Sequence, residues 1–442
     1  MLPSRHLPTK IVGALAVSLL AACASHAPAP VATTPPAPPL LAPAAAASVV
    51  SPEAAATFAR CLDELRAPAR AAGIGNDSYA RLTEGLQPDV SVLDRLDRQP
   101  EFSLPIWDYL SGLVDDERVD LGRERMNQHA AVLADISQRY GVPAEAVVAV
   151  WGVESNFGQT VGSYPLRQSL GTLSCMGRRQ AFFRGEFFAT LRMLQAGDVR
   201  PERLTGSWAG AFGQTQFMPS TFERLAVDFD GDGRRDVIDS VPDALASTAN
   251  FLHKASWQAG MPWGFEVRLP QGFASAGESR RNKRPLSVWA ARGVQRVDGS
   301  PLFAETTDAS AGSAEGVTAS TPVGLLLPSG PLGPAFLVTR NFDAFYSYNA
   351  AESYGLAIAH LSDRLRGGGE FVTPWPTDDP GLSRAQRREL QELLVKRGHD
   401  IGEVDGRLGE RSRVAIRSEQ EKLGQPATGR GGLKLLLALR GG

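Results

Sequence analysis

The feature that most constrains the fold of this chain is an almost wholly apolar helical segment that ends in one carboxylate. Pro143 suits the start of a helix, because its ring fixes φ and its missing N–H is not needed in the first turn. The apolar residues that follow it are Ala144, Val147, Val148, Val150 and Trp151. The segment therefore predicts a helix with a buried apolar surface, and Glu154 lies near its end.

Glu154 is the candidate catalytic residue. A carboxyl group held against valine and tryptophan side chains loses hydration in its charged form, so its pKa should rise and keep it protonated near neutral pH. Such a group can act as a general acid. Taken alone, the helix favours the alternative, an ordinary surface glutamate at a helix end.

A second stretch, residues 207–222, is the most specific pattern in the chain. Gly210 and Gly213 allow close approach of the backbone. Phe217 and Met218 would offer apolar surface to a sugar ring, with core packing as the alternative for Met218. The side chains that offer directional hydrogen bonds are those of Ser207, Gln214 and Gln216.

Together with residues 151–158, this stretch resembles the active site of lytic murein transglycosylases, and most closely the membrane-bound lytic transglycosylase B family. The resemblance implies that Glu154 protonates the glycosidic oxygen and then accepts a proton from the muramic acid C6 hydroxyl as that hydroxyl attacks C1. The product would be a 1,6-anhydro ring, formed without water and without a cofactor. Most glycoside hydrolases need a second carboxylate, and none is identifiable here at a diagnostic spacing.

The same resemblance supplies the candidate substrate-binding residues. Tyr348, Asn349 and Tyr354 match a family element that closes the groove, with Tyr354 near the acid. Arg178 and Arg179 match a basic pair that could meet stem-peptide carboxylates, and a solvated surface pair is the alternative. The substrate-binding set is Ser155, Ser207, Gln214, Gln216, Phe217, Tyr348, Asn349, Tyr354, Arg178 and Arg179. Some family members carry a Thr-Gly-Trp run after the acid where this chain has Ser-Asn-Phe, a difference that bears on local sugar contacts.

An acidic loop at residues 228–236 has carboxylates at alternating positions and a glycine at the sixth, like the first half of an EF-hand calcium loop. A standard loop would close with Glu at position twelve, where this chain has Asp239. By family match, Asp243 at the start of the next helix is preferred as the closing residue. The expected ligands of this structural calcium site are Asp228, Asp230, Asp232, the Arg234 carbonyl and Asp243. The alternative is a turn rich in Asp and Gly that binds no ion.

The N-terminal residues resemble an export signal. Arg5 and Lys10 precede an apolar run at residues 11–22, which is too short to span a bilayer and fits a signal peptide, residues 1–22. The run ends in Leu-Ala-Ala-Cys, which resembles the lipobox of bacterial lipoproteins, so Cys23 is expected to be acylated. The residues after Cys23 resemble those of lipoproteins sent to the outer membrane, which implies a lipid-anchored periplasmic protein. The alternative is a soluble secreted protein in which Cys23 is incidental.

With Cys23 acylated, Cys61 and Cys175 remain as an even pair. In an oxidising compartment such a pair predicts a structural disulfide. The alternative is two buried free thiols.

The remaining composition predicts two folded units and a tether. Residues 23–51, rich in Ala and Pro, predict an extended tether. Helical patterns dominate residues 52–370, with a small β element between residues 263 and 339, and residues 371–380 predict a linker. Residues 381–442 resemble the small three-helix peptidoglycan-binding domain of wall hydrolases, with a packing or dimerisation unit as the alternative. The resemblance therefore implies a mainly α fold, in which a lysozyme-like (α+β) catalytic domain precedes a helical wall-binding domain.

The charge balance bears on partners. With 46 Lys and Arg against 48 Asp and Glu, the formal net charge is −2, which gives no support for a nucleic-acid-binding surface. The expected partners are peptidoglycan glycan strands and, through the lipid anchor, a membrane. Two other functions stay open: a muramidase that delivers water with the same acid, and a non-catalytic wall-binding lipoprotein. The sequence leaves open endo or exo action, stem-peptide preference, protein partners and oligomeric state.

Overall fold

The computed structural model describes residues 50–96, 104–303 and 316–441. The expected signal peptide, Cys23 and almost all of the expected tether lie outside the described residues. Within the described part of the chain, no helix combines the length and apolar character that crossing a bilayer requires.

Helices dominate the described part of the chain, which also contains one two-stranded and one five-stranded sheet. In chain order, the helices before the sheet are α1 (Pro52–Glu64), α2 (Arg66–Ala71), α3 (Asn76–Thr83), the 3₁₀ helix Val90–Arg95, α4 (Ile106–Leu113), α5 (Asp116–Gln128), α6 (Ala130–Tyr140), α7 (Ala144–Ser155), α8 (Leu166–Cys175), α9 (Gln180–Ala196), α10 (Pro219–Leu225) and α11 (Val241–Lys254). The later helices are α12 (Leu286–Ala291) within the sheet region, then α13 (Arg340–Asn349), α14 (Glu352–Leu365), α15 (Arg384–Lys396), α16 (Glu410–Lys422) and α17 (Leu433–Arg440).

Helix α7, which carries Glu154, lies inside an apolar core built with α4, α5, α6, α11, α13 and α14. Pro143 precedes the helix in extended conformation, and residues 146–152 are all buried. Gly152 allows the close packing of this core, because a Cβ there would lie 2.8 Å from the Phe157 ring and 3.0 Å from Leu361. An apolar helix buried on all sides is typical of a domain centre, and here it fixes where the acid lies.

A second apolar core holds α1, α3, α8, α9 and the segment that contains residues 204–226. Cys61 on α1 and Cys175 at the end of α8 form the disulfide that the sequence predicts, with Cα atoms 5.8 Å apart. The short strands β1 (Tyr164–Pro165) and β2 (Thr205–Gly206) pair antiparallel. They join α8 to residues 207–222, which are called the groove motif below. The disulfide therefore ties the N-terminal helix to the layer beneath that motif.

The expected β element is a five-stranded antiparallel sheet. Its strands are β3 (Gly264–Arg268), β4 (Arg284–Pro285), β5 (Gln295–Arg296), β6 (Pro322–Leu326) and β7 (Ala335–Val338), in the order β4-β6-β7-β3-β5. Its own core is built around Phe265, Trp289 and Leu337. Arg280, which is 6% exposed, attaches this region to α13 and α14 through Asp343 (3.0 Å) and Glu352 (3.1 Å). The sheet thus supports the two helices that bring tyrosines to the cleft.

Helices α15, α16 and α17 form a small C-terminal unit around Leu390, Leu394, Ile416 and Leu436. A capping box begins α15: the Ser383 side chain accepts from the Gln386 amide, and the Gln386 side chain accepts from the Ser383 amide. Arg430 of this unit contacts both oxygens of Asp108 on α4, at 2.6 Å and 2.7 Å. The C-terminal unit therefore docks directly on the larger helical domain.

His360 on α14 is buried under the segment that connects the two domains. Its ring stacks on Phe371 with centroids 4.0 Å apart, and Nε2 lies 3.1 Å from Glu370 Oε2. Burial, and then the charge of Arg364, lower the pKa of His360 to about 4, while Asp363 and Glu266 act in the opposite direction. His360 is therefore neutral in the folded protein at neutral pH.

This burial should make stability depend on pH. The unfolded chain binds a proton on His360 near pH 6.5 and the folded protein only near pH 4, so the folded state loses stability as the pH falls through this window. We expect His360 to account for a loss of about 2 kcal/mol in the free energy of unfolding between pH 7 and pH 5. Urea unfolding at both pH values, with His360→Gln alongside, measures it. An equal pH dependence in the two proteins would contradict the assignment.

Candidate active site

Glu154 lies where α7 leaves the core. Asn156 and Phe157 both have positive φ, 51° and 58°, which ends the helix and turns the chain sharply. The Phe157 ring packs edge-on against Trp151 with centroids 5.6 Å apart. Glu154 is consequently half-buried on the cleft side of the helix end, one turn after the buried Trp151.

Tyr354 on α14 donates its hydroxyl hydrogen to Glu154 Oε1. Tyr354 is 2% exposed, and burial raises its pKa well above the ordinary value, with the charge of Glu154 adding to the shift. Tyr348 stacks on Tyr354 with centroids 6.3 Å apart and donates to the Thr215 carbonyl at 2.7 Å. Both tyrosines therefore stay protonated, and Tyr354 is a fixed hydrogen-bond donor to the acid.

Several side chains of the predicted binding set hold the groove together. Gln214 accepts from the Trp151 indole at 3.0 Å and donates to the Ile238 carbonyl at 3.0 Å. The Ser155 hydroxyl, 1% exposed, donates to the Gln214 carbonyl and accepts from the Gly158 amide at 2.8 Å. These contacts join the end of α7 to residues 207–222, so both side chains position the acid helix.

The rest of the groove motif is also engaged in local structure. The Ser207 hydroxyl accepts from the Ala211 amide at 3.0 Å. Gln216, at φ 52°, donates to the carbonyls of Val161 at 3.1 Å and Gly213 at 2.9 Å. Both residues are only partly buried, and their predicted contact with sugar stays a prediction.

The prediction that Phe217 offers its ring to a sugar is wrong. Phe217 is 1% exposed, and its ring lies against Phe251 and Tyr348, with centroids 6.1 Å and 6.0 Å away. The motif carries this aromatic because a large apolar side chain fills the space beneath Tyr348. Met218 is half-buried.

Glu154 borders two adjoining cavities. The smaller, about 360 Å³, is also lined by Asn349 and Tyr354, and the larger has a volume of about 720 Å³. Arg178 and Arg179 are exposed and line neither cavity, and Arg179 stacks over Phe182 at 4.6 Å. Their predicted part in binding a stem peptide therefore depends on a surface outside these cavities.

The sequence did not predict that the C-terminal domain reaches the cleft. Arg384, Arg387, Arg388 and Arg407 of that domain line the larger cavity together with Glu154. A cluster of arginines at the start of α15 was the only local signal, and such a cluster is ordinarily a solvated face. A second carboxylate, Asp108, lines the smaller cavity, but Arg430 holds both of its oxygens.

The acidic loop brings three of its predicted ligands together. One carboxylate oxygen from each of Asp228, Asp230 and Asp232 lies within 4.8 Å of the others, and these residues are exposed. Oxygen ligands in this arrangement fit a hard cation such as Ca²⁺. The Arg234 carbonyl stays a prediction.

Asp243 has a different place in the loop from its predicted neighbours. It is fully buried and accepts from the amides of Phe229 (2.8 Å), Asp230 (3.2 Å) and Asp236 (2.8 Å). Burial raises its pKa, against the effect of these three hydrogen bonds. Asp243 thus orders the loop from behind and is not part of the three-carboxylate cluster.

A mainly helical fold with a small sheet, in which one cleft glutamate stands at the end of a buried helix, is of the lysozyme-like class. The transglycosylase SLT domain family matches residues 57–363, and the putative peptidoglycan binding domain family matches residues 383–439. The chain therefore belongs to the transglycosylase SLT domain family and ends in a peptidoglycan-binding domain.

Relatives of known structure and sequence agree with this membership. The chain is 35% identical over 225 residues to membrane-bound lytic murein transglycosylase B of Escherichia coli strain K12, an alignment that covers 49% of this chain and 59% of that relative. SltB3 from Pseudomonas aeruginosa, in complex with NAG-anhNAM-pentapeptide, is 46% identical with a TM-score of 0.68, over 87% of this chain and 99% of that one. Escherichia coli Slt35 in complex with calcium is 27% identical with a TM-score of 0.58, over 70% and 92%.

Proposed function

We propose that this chain is a lytic transglycosylase that cleaves the β-1,4 bond between MurNAc and GlcNAc in peptidoglycan and leaves 1,6-anhydroMurNAc ends. The observation that best supports this proposal is the environment of Glu154. The Tyr354 hydroxyl donates to Glu154, and Arg430 binds both carboxylate oxygens of the nearby Asp108. A hydrolase of the usual kind needs a second carboxylate as nucleophile or base. Asp108 is engaged elsewhere.

The two other acids beside Glu154, Glu403 and Asp405, are exposed residues of the C-terminal domain, and Asp405 Oδ1 accepts from the Gln391 side chain at 3.1 Å and the Arg407 amide at 2.8 Å. A reaction that uses the substrate's own hydroxyl therefore fits the site better.

In the proposed reaction Glu154 serves first as acid and then as base. It gives its proton to the glycosidic oxygen, and the departing GlcNAc hydroxyl keeps that proton. The C6 oxygen of MurNAc then bonds to C1 and loses its hydrogen to Glu154, which restores the acid without consuming water. The hydroxyl of Tyr354 supports the carboxylate between the two steps, because a hydrogen bond to a charged group is stronger than one to a neutral group.

The setting of the enzyme follows from its other parts. The peptidoglycan-binding domain supports residence on the wall, and the Leu-Ala-Ala-Cys sequence supports acylation of Cys23 and anchoring to the outer membrane, facing the periplasm. The resemblance to Slt35 in complex with calcium, together with the Asp228, Asp230 and Asp232 cluster, supports a structural Ca²⁺. That ion would offset two of the three negative charges of these adjacent carboxylates and stabilise the loop before α11.

Glu154→Gln should abolish cleavage while binding to peptidoglycan persists. The amide cannot supply a proton to the glycosidic oxygen, and general acid–base catalysis contributes roughly 10²- to 10⁴-fold. Mass spectrometry of soluble products from intact peptidoglycan measures the loss. Glu145→Gln, on the same helix and paired with Arg366 at 3.4 Å, is the matched control and should release anhydromuropeptides normally.

Two results of that experiment would count against the proposal. Reducing-end muropeptides from the unaltered protein would reassign the chain as a muramidase that uses water. Absence of products from folded, calcium-supplied protein would favour a binding role.

Tyr354→Phe should lower kcat by roughly 10- to 100-fold with little change in KM, because a hydrogen bond to a charged group contributes about 1.5–3 kcal/mol. Steady-state kinetics on glycan strands measures both parameters. Tyr79→Phe is the control, since that buried hydroxyl donates to the Leu62 carbonyl at 2.6 Å in the other core. The idea fails if the two variants have the same kcat.

Ca²⁺ should raise the thermal unfolding temperature of the protein. An ion at a hundred times its dissociation constant stabilises a folded protein by about 2.7 kcal/mol, and a chelator reverses the effect. The double variant Asp230→Asn, Asp232→Asn should lose the response, whereas Glu202→Gln, an exposed acid elsewhere, should keep it. An unaltered protein whose unfolding temperature ignores both Ca²⁺ and chelator would refute the site.

A further inference from the structure

The larger cavity beside Glu154 carries more positive than negative side chains. Its cationic lining residues are Arg118, Arg384, Arg387, Arg388 and Arg407, and its acidic ones are Glu154, Glu403 and Asp405. Arg118 comes from α5, and the other four arginines come from the C-terminal domain. The cavity is therefore a joint product of both domains.

Helix α15 docks with its first turn facing this cavity. The Arg384 amide donates to Asp115 Oδ2 at 3.2 Å, and Arg388 forms an ion pair with Glu117. Gly112 on α4 makes room for Arg387, because a Cβ at that position would lie 2.7 Å from its guanidinium. The arginines are therefore held in place by the contact between domains.

Within the described part of the chain, no carboxylate forms an ion pair with the guanidinium groups of Arg118, Arg384 and Arg387. The Asp115 oxygens accept from the backbone amides of Arg118, at 2.9 Å, and Arg384. The guanidinium groups of Arg118 and Arg384 share Asn156 Oδ1, each at 3.2 Å. Those of Arg118 and Arg387 share the Gly112 carbonyl, at 3.1 Å and 3.4 Å.

The hydrogen bonding and burial of these arginines also indicate a site for an anion. Arg387 Nε is buried with no hydrogen-bond partner among the described residues. Burial, then the proximity of Arg384, lowers the pKa of Arg118 to about 10, while Asp115 acts in the opposite direction. Burial also lowers the pKa of Arg387, against the effect of Asp115 and Asp405. The lining still has five arginines and three acids, and neutral amide oxygens satisfy hydrogen bonds without balancing charge, so the site favours an anionic occupant.

We propose that Arg118, Arg384 and Arg387 form a subsite for a carboxylate of the peptide stem on the muramyl residue next to the bond that is cleaved. This proposal rests on the proposed function. Where a stem is attached, the lactyl carboxyl of MurNAc is an amide and the glycan is uncharged, so the anionic groups of this substrate lie on its stem. Guanidinium forks match carboxylates by paired hydrogen bonds, and Arg387 also lines the smaller cavity with Glu154 and Tyr354.

The subsite gives the C-terminal domain a second role. Besides binding the wall, this domain would distinguish glycan strands that carry a stem peptide near Glu154 from strands that do not. Arg178 and Arg179 line neither cavity, so they cannot substitute for it there.

The test compares peptide-bearing glycan strands with the same strands after chemical amidation of the stem carboxylates, because removing the stem with an amidase would leave a new carboxylate on each MurNAc lactyl group. Arg387→Gln and Arg384→Gln should each lower kcat/KM on the unmodified strands by roughly 10- to 100-fold, chiefly through KM, because hydrogen bonds to charged groups are lost. On the amidated strands, which lack the stem carboxylates, the change in kcat/KM should stay within about 3-fold. Arg387→Lys should recover part of the loss, since it restores charge without the fork.

Arg430→Gln separates docking from charge, because it breaks the contact with Asp108 and Asp379 without removing a cation from the cavity. Because the docked domain carries Arg384 and Arg387, this variant should lower kcat/KM on both substrates and reduce part of the preference for free stem carboxylates. If Arg387→Gln lowers kcat/KM equally on both substrates, the subsite proposal is overturned.

A binding measurement makes the test independent of catalysis. In a Glu154→Gln background, titration with a GlcNAc-MurNAc-pentapeptide should show tighter binding than with the same molecule whose peptide carboxylates are amidated. Arg387→Gln should erase that preference, and equal affinity for the two probes in the parent protein would refute the subsite. Failure of the unaltered enzyme to cleave either strand type would instead sink the proposed function.

Discussion

Burial of α7 on all sides is the constraint on which the rest of this structure depends. A helix that is apolar around its circumference has to lie among other helices, and only its end can present a polar group to a cleft. Gly152 lets Phe157 and Leu361 close over the helix, and the left-handed Asn156 ends it directly after the acid. Because α14 packs against α7, Tyr354 reaches Glu154 across 200 residues of sequence. The acid and its donor are thus placed by the core.

The side chains of the groove motif hold the acid and its donor in position to a greater extent than the sequence suggests. A run of glycines, amides and hydroxyls resembles a surface made for sugar, yet Gln214 is bonded to the Trp151 indole and to a backbone carbonyl. Buried polar groups require such partners, and the same interior accounts for Phe217, whose ring fills the space below Tyr348. The motif is specific because many of its side chains must fit one arrangement. Fewer of these side chains are therefore available to contact a ligand than the sequence alone suggests.

Local pattern was sufficient to predict α7 and the β region, because each depends on periodicity or composition over a short stretch. The role of Glu154 and the helical C-terminal domain were predicted only from the resemblance to a known family. Local pattern was insufficient where the deciding contacts join distant residues. Arg430 and Asp108 are 322 residues apart, and Arg384 and Asn156 are 228 apart, so no local period records that the C-terminal domain docks beside the cleft. Asp243 shows the same limit, since the family resemblance marks it as a ligand while its buried carboxylate accepts from backbone amides of the loop.

Docking of the C-terminal domain and occupation of the arginine cavity are linked by charge. Arg388 and Arg430 are matched by Glu117 and Asp108, and these pairs hold the domains together. The same docking forces Arg384 and Arg387 toward Arg118, where like charges oppose the contact. An anion bound between them would remove that opposition, so it would strengthen docking. By linkage, docking strengthens anion binding by the same factor. A stem peptide bound there would therefore stabilise the docked arrangement of the two domains.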